Sequence, residues 1–249
     1  MTDFTKRRDD APAGLFAAEA VGLEWLRVPD GAPVVRVIDW TASAITLERL
    51  NPAPATAAAA QALGARLTVT HDAGAPAFGA PPPGLDGVSF IADLPMSTNP
   101  EPTWGAFFGP QRVWRYAQQA GAVLGSDGLR VMETLTQRLV DGVFDDDAPP
   151  ARLHGDLWTG NVVFTSTGGV LIDPSAHGGH RLSDLAMLAL FGAPHLERIF
   201  AAYEAASTHL PDNWRSLIGL HQVYPLLVHT VLFGGGYAQQ AVRAARAYL

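Results

Sequence analysis

The chemically richest stretch of this chain is His154-Gly155-Asp156-Leu157-Trp158-Thr159-Gly160-Asn161, followed by Val170-Leu171-Ile172-Asp173-Pro174. Its spacing, H-x-D-L-x-x-x-N, is that of a phosphoryl-transfer catalytic loop, in which the aspartate accepts the proton of an attacking hydroxyl and the asparagine holds a metal ion. A second aspartate at the end of the next hairpin adds another hard oxygen ligand of the kind a magnesium triphosphate requires. Asp156 is thus a candidate base, and Asn161 and Asp173 are candidate metal ligands. The competing reading makes Asp156 and Asn161 turn residues beside Gly155 and Gly160.

Composition limits the alternatives. The chain has 249 residues, 48% hydrophobic and 16% charged, without cysteine, as expected of one compact unit or two small lobes. A disulfide framework and Cys-ligated zinc or iron–sulfur sites are excluded. A net charge of −7 opposes general nucleic-acid binding, although a local cationic pocket remains open. The only lysine is Lys6, the other 16 of the 17 basic residues being arginine, so no Walker A loop can be built. Neither a G-x-G-x-x-G loop nor a G-x-S-x-G nucleophile elbow occurs. No run reaches the roughly 18 uncharged apolar residues of a membrane span. The best candidate, Val223 to Phe233, contains His229 and runs into Gly234-Gly235-Gly236. Lys6 to Asp10 leads into a poor signal-peptide core, so the expected location is cytoplasmic, with neither nucleic acid nor membrane as partner.

The elements that must position these groups follow from periodicity and breakers. Thr2 to Lys6 reads as a strand, and Pro12 to Leu26 as a helix with Leu15, Glu19, Gly22, Leu23 and Leu26 on one stripe. A carboxylate at Glu19 on that buried face is costly unless a cation pairs with it. Val34 to Trp40 and Ala44 to Leu50 form an expected hairpin, and Asn51-Pro52-Ala53-Pro54 marks a boundary between lobes 1–52 and 53–249. A helix is expected over Thr56 to Val69. The Gly- and Pro-dense stretch Gly74 to Pro110 is expected to be irregular, a lid candidate anchored by Trp104, Phe107 and Phe108. Helices over Gln111 to Leu124 and Leu129 to Phe144 precede three short apolar runs, Leu153–Leu157, Val162–Phe164 and Val170–Ile172, with a hairpin closed near Gly168-Gly169. From Leu182 onward the chain reads as helical.

The run HGDLWTGN…LIDPSAHGGHRLSDLAMLALFG resembles the signature of the fructosamine kinase (ketosamine-3-kinase) family, a branch of the aminoglycoside phosphotransferase-like, protein-kinase-like superfamily. The tryptophan of HGDLW, the IDP triplet and the DLAM…LFG tail separate that family from aminoglycoside and choline kinases. TKRRDDAPAGLFAAEAVGLEWL and TWGAFF resemble its lysine strand with the following helix and its W-x-x-FF element. The resemblance implies an α+β, two-lobed protein-kinase-like fold with an N-terminally shortened small lobe and a mainly helical large lobe. It implies ATP and Mg2+ as cofactors and transfer of the γ-phosphoryl group to a sugar hydroxyl of a fructosamine, a deglycation-type repair in which the phosphorylated ketosamine releases its amine.

By the same resemblance, Lys6 contacts the ATP phosphates, Glu19 is its ion-pair partner, Asp156 is the base, and Asn161 and Asp173 bind Mg2+. The competing reading makes Lys6 a solvated strand-end charge and Glu19 a helix-surface acid, the latter weakened by the position of Glu19 on the apolar stripe. His154 is expected to brace the loop. Asp184 either positions that loop or caps its own helix. Trp158 either stacks on the sugar or its amine, or lies in the core under the loop.

The chain departs from the family pattern in three places. It begins near the lysine strand, where family members carry about two more strands and a phosphate-covering loop. Leu182 stands where glutamate is usual, and His177-Gly178-Gly179-His180 replaces a tyrosine-containing stretch, its two histidines being expected as solvated loop residues. Three readings therefore stand: a fructosamine-type kinase, a nucleotide-poor pseudokinase acting as a scaffold, and a kinase for another hydroxylated amine such as an aminoglycoside.

Overall fold

A computed structural model describes residues 3–249. Strand β1 (Asp3–Arg7) is the edge of a three-stranded antiparallel sheet of order β1-β3-β2, with β2 at Val37–Trp40 and β3 at Ala44–Glu48. Pairing of Lys6 with Ile45 fixes the register. Helix α1 (Leu15–Leu26) packs beneath this sheet through Phe16, Leu23 and Leu26. It starts three residues later than the sequence suggests, at Gly14 in the left-handed region (φ 89°). The hairpin β2-β3 forms as expected, with a register irregularity between Val37 and Asp39.

Pro33 to Val35 then ties the sheet to the rest of the molecule. The Leu171 N–H donates to the Pro33 carbonyl (2.7 Å) and the Val35 N–H to the Leu171 carbonyl (3.0 Å). A continuous apolar core follows this seam, from Phe16, Leu23 and Ile45 through Leu157 and Leu171 to Leu182, Leu185 and Tyr203. Helix α2 (Ala57–Asp72) is capped by the Thr56 hydroxyl, which accepts from the Ala59 N–H, and packs against α7 (Leu196–Ala206). It runs three residues beyond Val69, carrying His71 into the interior.

The stretch 74–110 is more ordered than its composition suggests. It contains a hairpin, β4 (Ser89–Ile91) with β5 (Leu94–Met96), turning through Ala92 in the left-handed region, and a short helix α3 (Trp104–Phe108). Trp104, Phe107 and Phe108 are buried in a second core with Tyr116, Met132, Leu139 and Leu227. In place of the expected helix Gln111–Leu124, a π-helical turn (Gly109–Trp114) leads into α4 (Arg115–Gln119). Helix α5 (Gly121–Val140) follows and bends at Gly125 (φ 66°). Of the first apolar run, Leu153–Leu157, only Leu153 is strand, as the last residue of β6 (Ala151–Leu153), which pairs with β9 (His177–Gly179). Strands β7 (Val162–Thr165) and β8 (Gly168–Leu171) form the hairpin, which turns at Ser166-Thr167, just before the expected glycine pair.

Helices α6 (Leu182–Phe191), α7, α8 (Trp214–Phe233) and α9 (Tyr237–Arg246) complete the chain. Helix α8 corrects one expectation. It continues through Pro225 for 20 residues and is long and apolar enough to cross a membrane by length and composition. Half of its apolar window is buried, against α6 and α9 among others, as in the core helix of a globular fold.

Candidate active site

The catalytic-loop spacing becomes geometry because two glycines permit it. Gly155 adopts φ +81°, and a Cβ there would lie 2.2 Å from the Ser175 carbonyl oxygen, so the chain leaves β6 and turns under the 171–175 segment. At Gly160 a Cβ would come within 2.3 Å of the Trp158 ring, which lies directly on that glycine. The loop closes with a short 3-10 turn, Thr159–Asn161.

Asn161 gathers the site. Its Nδ2 donates to the Asp156 carbonyl (2.8 Å), to Asp156 Oδ2 (3.0 Å) and to the Asp173 carbonyl (3.3 Å). These three contacts engage the amide nitrogen and leave Oδ1 as the atom available to an outside partner. Asp173 sits in the left-handed region at φ 52°, which ends β8 and sends its carboxylate toward Lys6. Lys6 Nζ donates to Asp173 Oδ1 at 2.7 Å and to both oxygens of Glu19 at 3.0 Å. Glu19, 8% exposed on the inner face of α1, is therefore paired with the cation its position demands.

Burial sets the protonation of these groups. It pushes Glu19 up to about 7, Lys6 opposing the rise and Asp173 adding to it. Lys6 itself is held above its ordinary value: burial lowers it, and the two carboxylates more than compensate. Asp156 is raised to about 6, again by burial, with the Asn161 hydrogen bond pulling the other way.

Beneath the loop lies a second, fully buried layer. Asp184 Oδ2 accepts from the His154 N–H (2.8 Å) and Oδ1 from the Gly155 N–H (2.9 Å), so this carboxylate clamps the loop backbone and makes no cap on α6. His154 donates from Nε2 to the Ile172 carbonyl (2.8 Å) and accepts at Nδ1 from the Asp156 N–H (3.2 Å), joining both halves of the site. Burial holds His154 below the ordinary imidazole value, consistent with that neutral tautomer. Asp184 is in turn held by His71, whose Nε2 lies 3.1 Å from Oδ2 while its Nδ1 lies 2.7 Å from the Tyr203 hydroxyl. Burial lowers the His71 pKa as well, so a neutral ring donates to Asp184 and accepts from Tyr203. Although burial alone would raise Asp184, its hydrogen bonds, His71 first, hold it below the usual carboxylate range.

The sequence reading missed His71 and Tyr203. A signal existed: Ala60, Leu63, Gly64 and Leu67 form a buried stripe that His71 continues at helical spacing. A second correction concerns His177 and His180, which are buried rather than solvated. His177 donates to the Ser175 carbonyl (2.8 Å), and burial pushes it down to about 3. His180 contacts Asp146 at 3.2 Å. Leu182, at the family's glutamate position, is fully buried in the first core.

These groups open onto one cleft of about 380 Å³. Lys6, Glu19, Asp156, Trp158, Asn161 and Asp173 all line it. Ile91, Ala92 and Asp93 of the β4-β5 hairpin form part of the wall. Arg8 anchors that hairpin through an ion pair with Asp93. Trp158 is 39% exposed, which rules out the reading that buries it in the core.

A small antiparallel sheet with a lysine–glutamate pair, joined to a helical body that carries an H-x-D…N…D constellation, defines a phosphotransferase of the protein-kinase-like fold. The comparisons narrow the class: residues 2–249 match the fructosamine kinase family, and the chain belongs to it. A probable ketoamine kinase of Thermus thermophilus is 34% identical over 242 residues, covering 97% of this chain and 86% of the relative. The solved structure of a protein from Thermobifida fusca, provisionally assigned as a fructosamine-3-kinase, superposes with a TM-score of 0.88 at 43% identity, over 98% of this chain and 84% of that one. A choline kinase of Streptococcus pneumoniae shares the fold alone (TM-score 0.64, 16% identity, covering 99% and 86%).

Proposed function

We propose that this protein transfers the γ-phosphoryl group of ATP to a sugar hydroxyl of a fructosamine. The observation that carries this reading is the convergence of Lys6, Asp156, Asn161 and Asp173 on one cleft, in a chain of the fructosamine kinase family. Asp156 takes the proton of the substrate hydroxyl as its oxygen bonds to the γ-phosphorus and the bond to the β-phosphate oxygen breaks, releasing ADP. With a pKa near 6, Asp156 is ionised at neutral pH yet basic enough to accept that proton. Asn161 holds the Asp156 carboxylate in place. Lys6, oriented by Glu19, supplies positive charge to the phosphates.

The donor set suits magnesium: the Asp173 carboxylate and the free Oδ1 of Asn161 are hard oxygens on adjacent turns. When bound there, the ion would neutralise phosphate charge, and these two residues would hold it. The scaffold reading, raised by the shortened small lobe, is not favoured by membership of a family of small-molecule kinases. The aminoglycoside reading rests on no feature of this cleft.

The test is phosphate transfer to a fructosamine with Mg-ATP, comparing the wild-type chain with Asp156→Asn. Transfer is expected to fall by about 10³-fold in the variant. Transfer that survives the substitution within tenfold would remove Asp156 as base. No transfer to any fructosamine by the wild-type chain would remove the reading itself.

A further inference from the structure

Four aromatic rings from distant parts of the chain form a shelf that starts beside the candidate base. Trp158 meets Phe191 edge-to-face with centroids 6.0 Å apart, Phe191 lies 4.9 Å from His229, and His229 lies 5.5 Å from Phe233. Trp158, His229 and Phe233 line the same cleft as Asp156, together with Val228 and Leu232. Three of these rings are solvent-facing, Phe233 being 67% exposed. Aromatic side chains bury apolar area whenever they can, so a contiguous exposed row running into a reaction cleft marks a ligand surface.

The shelf is also free of formal charge. From Ser216 to Phe233, helix α8 contains no Asp, Glu, Lys or Arg. His229 donates Nδ1–H to the Pro225 carbonyl at 2.8 Å, and partial burial holds it below the ordinary imidazole pKa, so its ring is neutral near pH 7. The cleft's charged groups, Lys6, Glu19, Asp156 and Asp173 with Arg8 and Asp93, are not members of this row of rings, and Arg8 is already paired with Asp93.

With a sugar hydroxyl at Asp156, the row of rings beginning at Trp158 offers an apolar path along the same cleft. We propose that the shelf of Trp158, Phe191, His229 and Phe233 is the subsite for the substituent on the substrate's amine, and that it selects adducts whose amine carries an uncharged aromatic or aliphatic substituent over adducts of free amino acids. This rests on the reaction proposed above. The α-carboxylate and α-ammonium of a fructosyl-lysine would lie on a surface offering neither an opposite charge nor a buried donor, whereas a phenyl ring would stack on it.

The test compares the phenethylamine adduct of fructose with Nε-fructosyl-lysine, measuring kcat and KM for both and, separately, the Kd of each adduct by calorimetry. The phenethylamine adduct is expected to have a KM and a Kd about tenfold lower, the factor one well-placed aromatic contact supplies. Phe233→Ala, at a mostly exposed position where folding is not at risk, should erase most of that advantage through KM. Equal constants for the two adducts, or a preference untouched by Phe233→Ala, would overturn the subsite. Should neither adduct be phosphorylated, the proposed reaction fails on its own, and the two Kd values with their response to Phe233→Ala still decide the shelf.

Discussion

His154, Gly155 and Asn161 are positioned by short, directed hydrogen bonds among buried groups, whereas Lys6 and Glu19 are positioned by charge in a half-open cleft. The first arrangement does not depend on ligand. Asp184 receives two backbone N–H groups and is itself held by the buried His71–Tyr203 pair, so the loop is rigid before anything binds. The second arrangement depends on which groups are ionised and shares a member with the first, since Asp173 pairs with Lys6 and is also a proposed metal ligand. In this structure Lys6 neutralises Asp173 directly. Binding of a metal nucleotide would have to loosen that 2.7 Å contact, leaving Glu19 to keep the lysine in place. Rigidity on one side and exchangeable charge on the other suit a reaction in which the acceptor is aligned by the loop and the nucleotide arrives with its own charge.

The contrast breaks first if the loop clamp proves dispensable. Asp184→Asn places an amide N–H2 against a backbone N–H and leaves one buried donor unsatisfied, at a cost of about 1–3 kcal/mol. The expected outcome is a kcat at least a hundredfold lower, with the melting temperature down by several degrees. Kinetics and thermal melts of the purified variant would check both. A kcat within threefold of wild type would mean that the loop holds its shape through the His154 ring and Asn161 contacts alone.

A smaller effect is expected on the lysine side, and in a different parameter. Glu19→Gln retains the shape of the side chain but removes its charge, so Lys6 is left to Asp173 alone. KM for Mg-ATP should rise about tenfold, the equivalent of 1.4 kcal/mol. Stability should scarcely change near neutrality. Because burial raises the Glu19 pKa to about 7, its favourable contribution is present at low pH and is lost as pH rises through 7, so the ionised form at pH 8 is already a cost. A large fall in melting temperature without a change in KM would place Glu19 in the scaffold rather than at the nucleotide.

Different parts of this organisation were legible in the sequence to different degrees. Asp156, Asn161 and Asp173 lie within one loop and one hairpin, so local spacing alone brings them together. Lys6 and Glu19 were marked by singularity, the one as the only lysine and the other as an acid on an apolar helix stripe that required a cation. His71 escaped because the helix was ended at Val69, before the turn that carries the residue inward. The β4-β5 hairpin escaped because strands of three residues within a Gly- and Pro-dense stretch leave no periodicity to read. The burial of His177 follows from the pairing of β9 with β6, and that of His180 from packing against Trp104 and His221, contacts between residues far apart in sequence. The aromatic shelf was beyond reach for the same reason, since Trp158, Phe191, His229 and Phe233 belong to three separate elements joined only by the packing of α6 on α8 and of both beside the loop.

The smallest expected effect concerns the cost of holding the base ready. Burial raises the Asp156 pKa from 3.8 to about 6, so protonated Asp156 is the form that folding favours. Its contribution to stability is therefore intact below about pH 4 and is lost as pH climbs through 6, the reverse of an ordinary paired carboxylate. Two measurements follow from the same shift. The acid limb of kcat/KM should bend near pH 6, because the protonated carboxyl cannot accept the hydroxyl proton. At pH 8, Asp156→Asn should be more stable than wild type by on the order of 1 kcal/mol after allowance for solvent screening, a rise of about 2–4 °C in melting temperature, and at pH 4 the two should melt together. An inactive variant that is also the more stable one at pH 8 would show that the rigid loop holds its base at the expense of stability. Identical melting curves at both pH values would mean that water reaches Asp156 freely, and the contrast between a buried, directed loop and an exchangeable lysine arm would then end at Asn161.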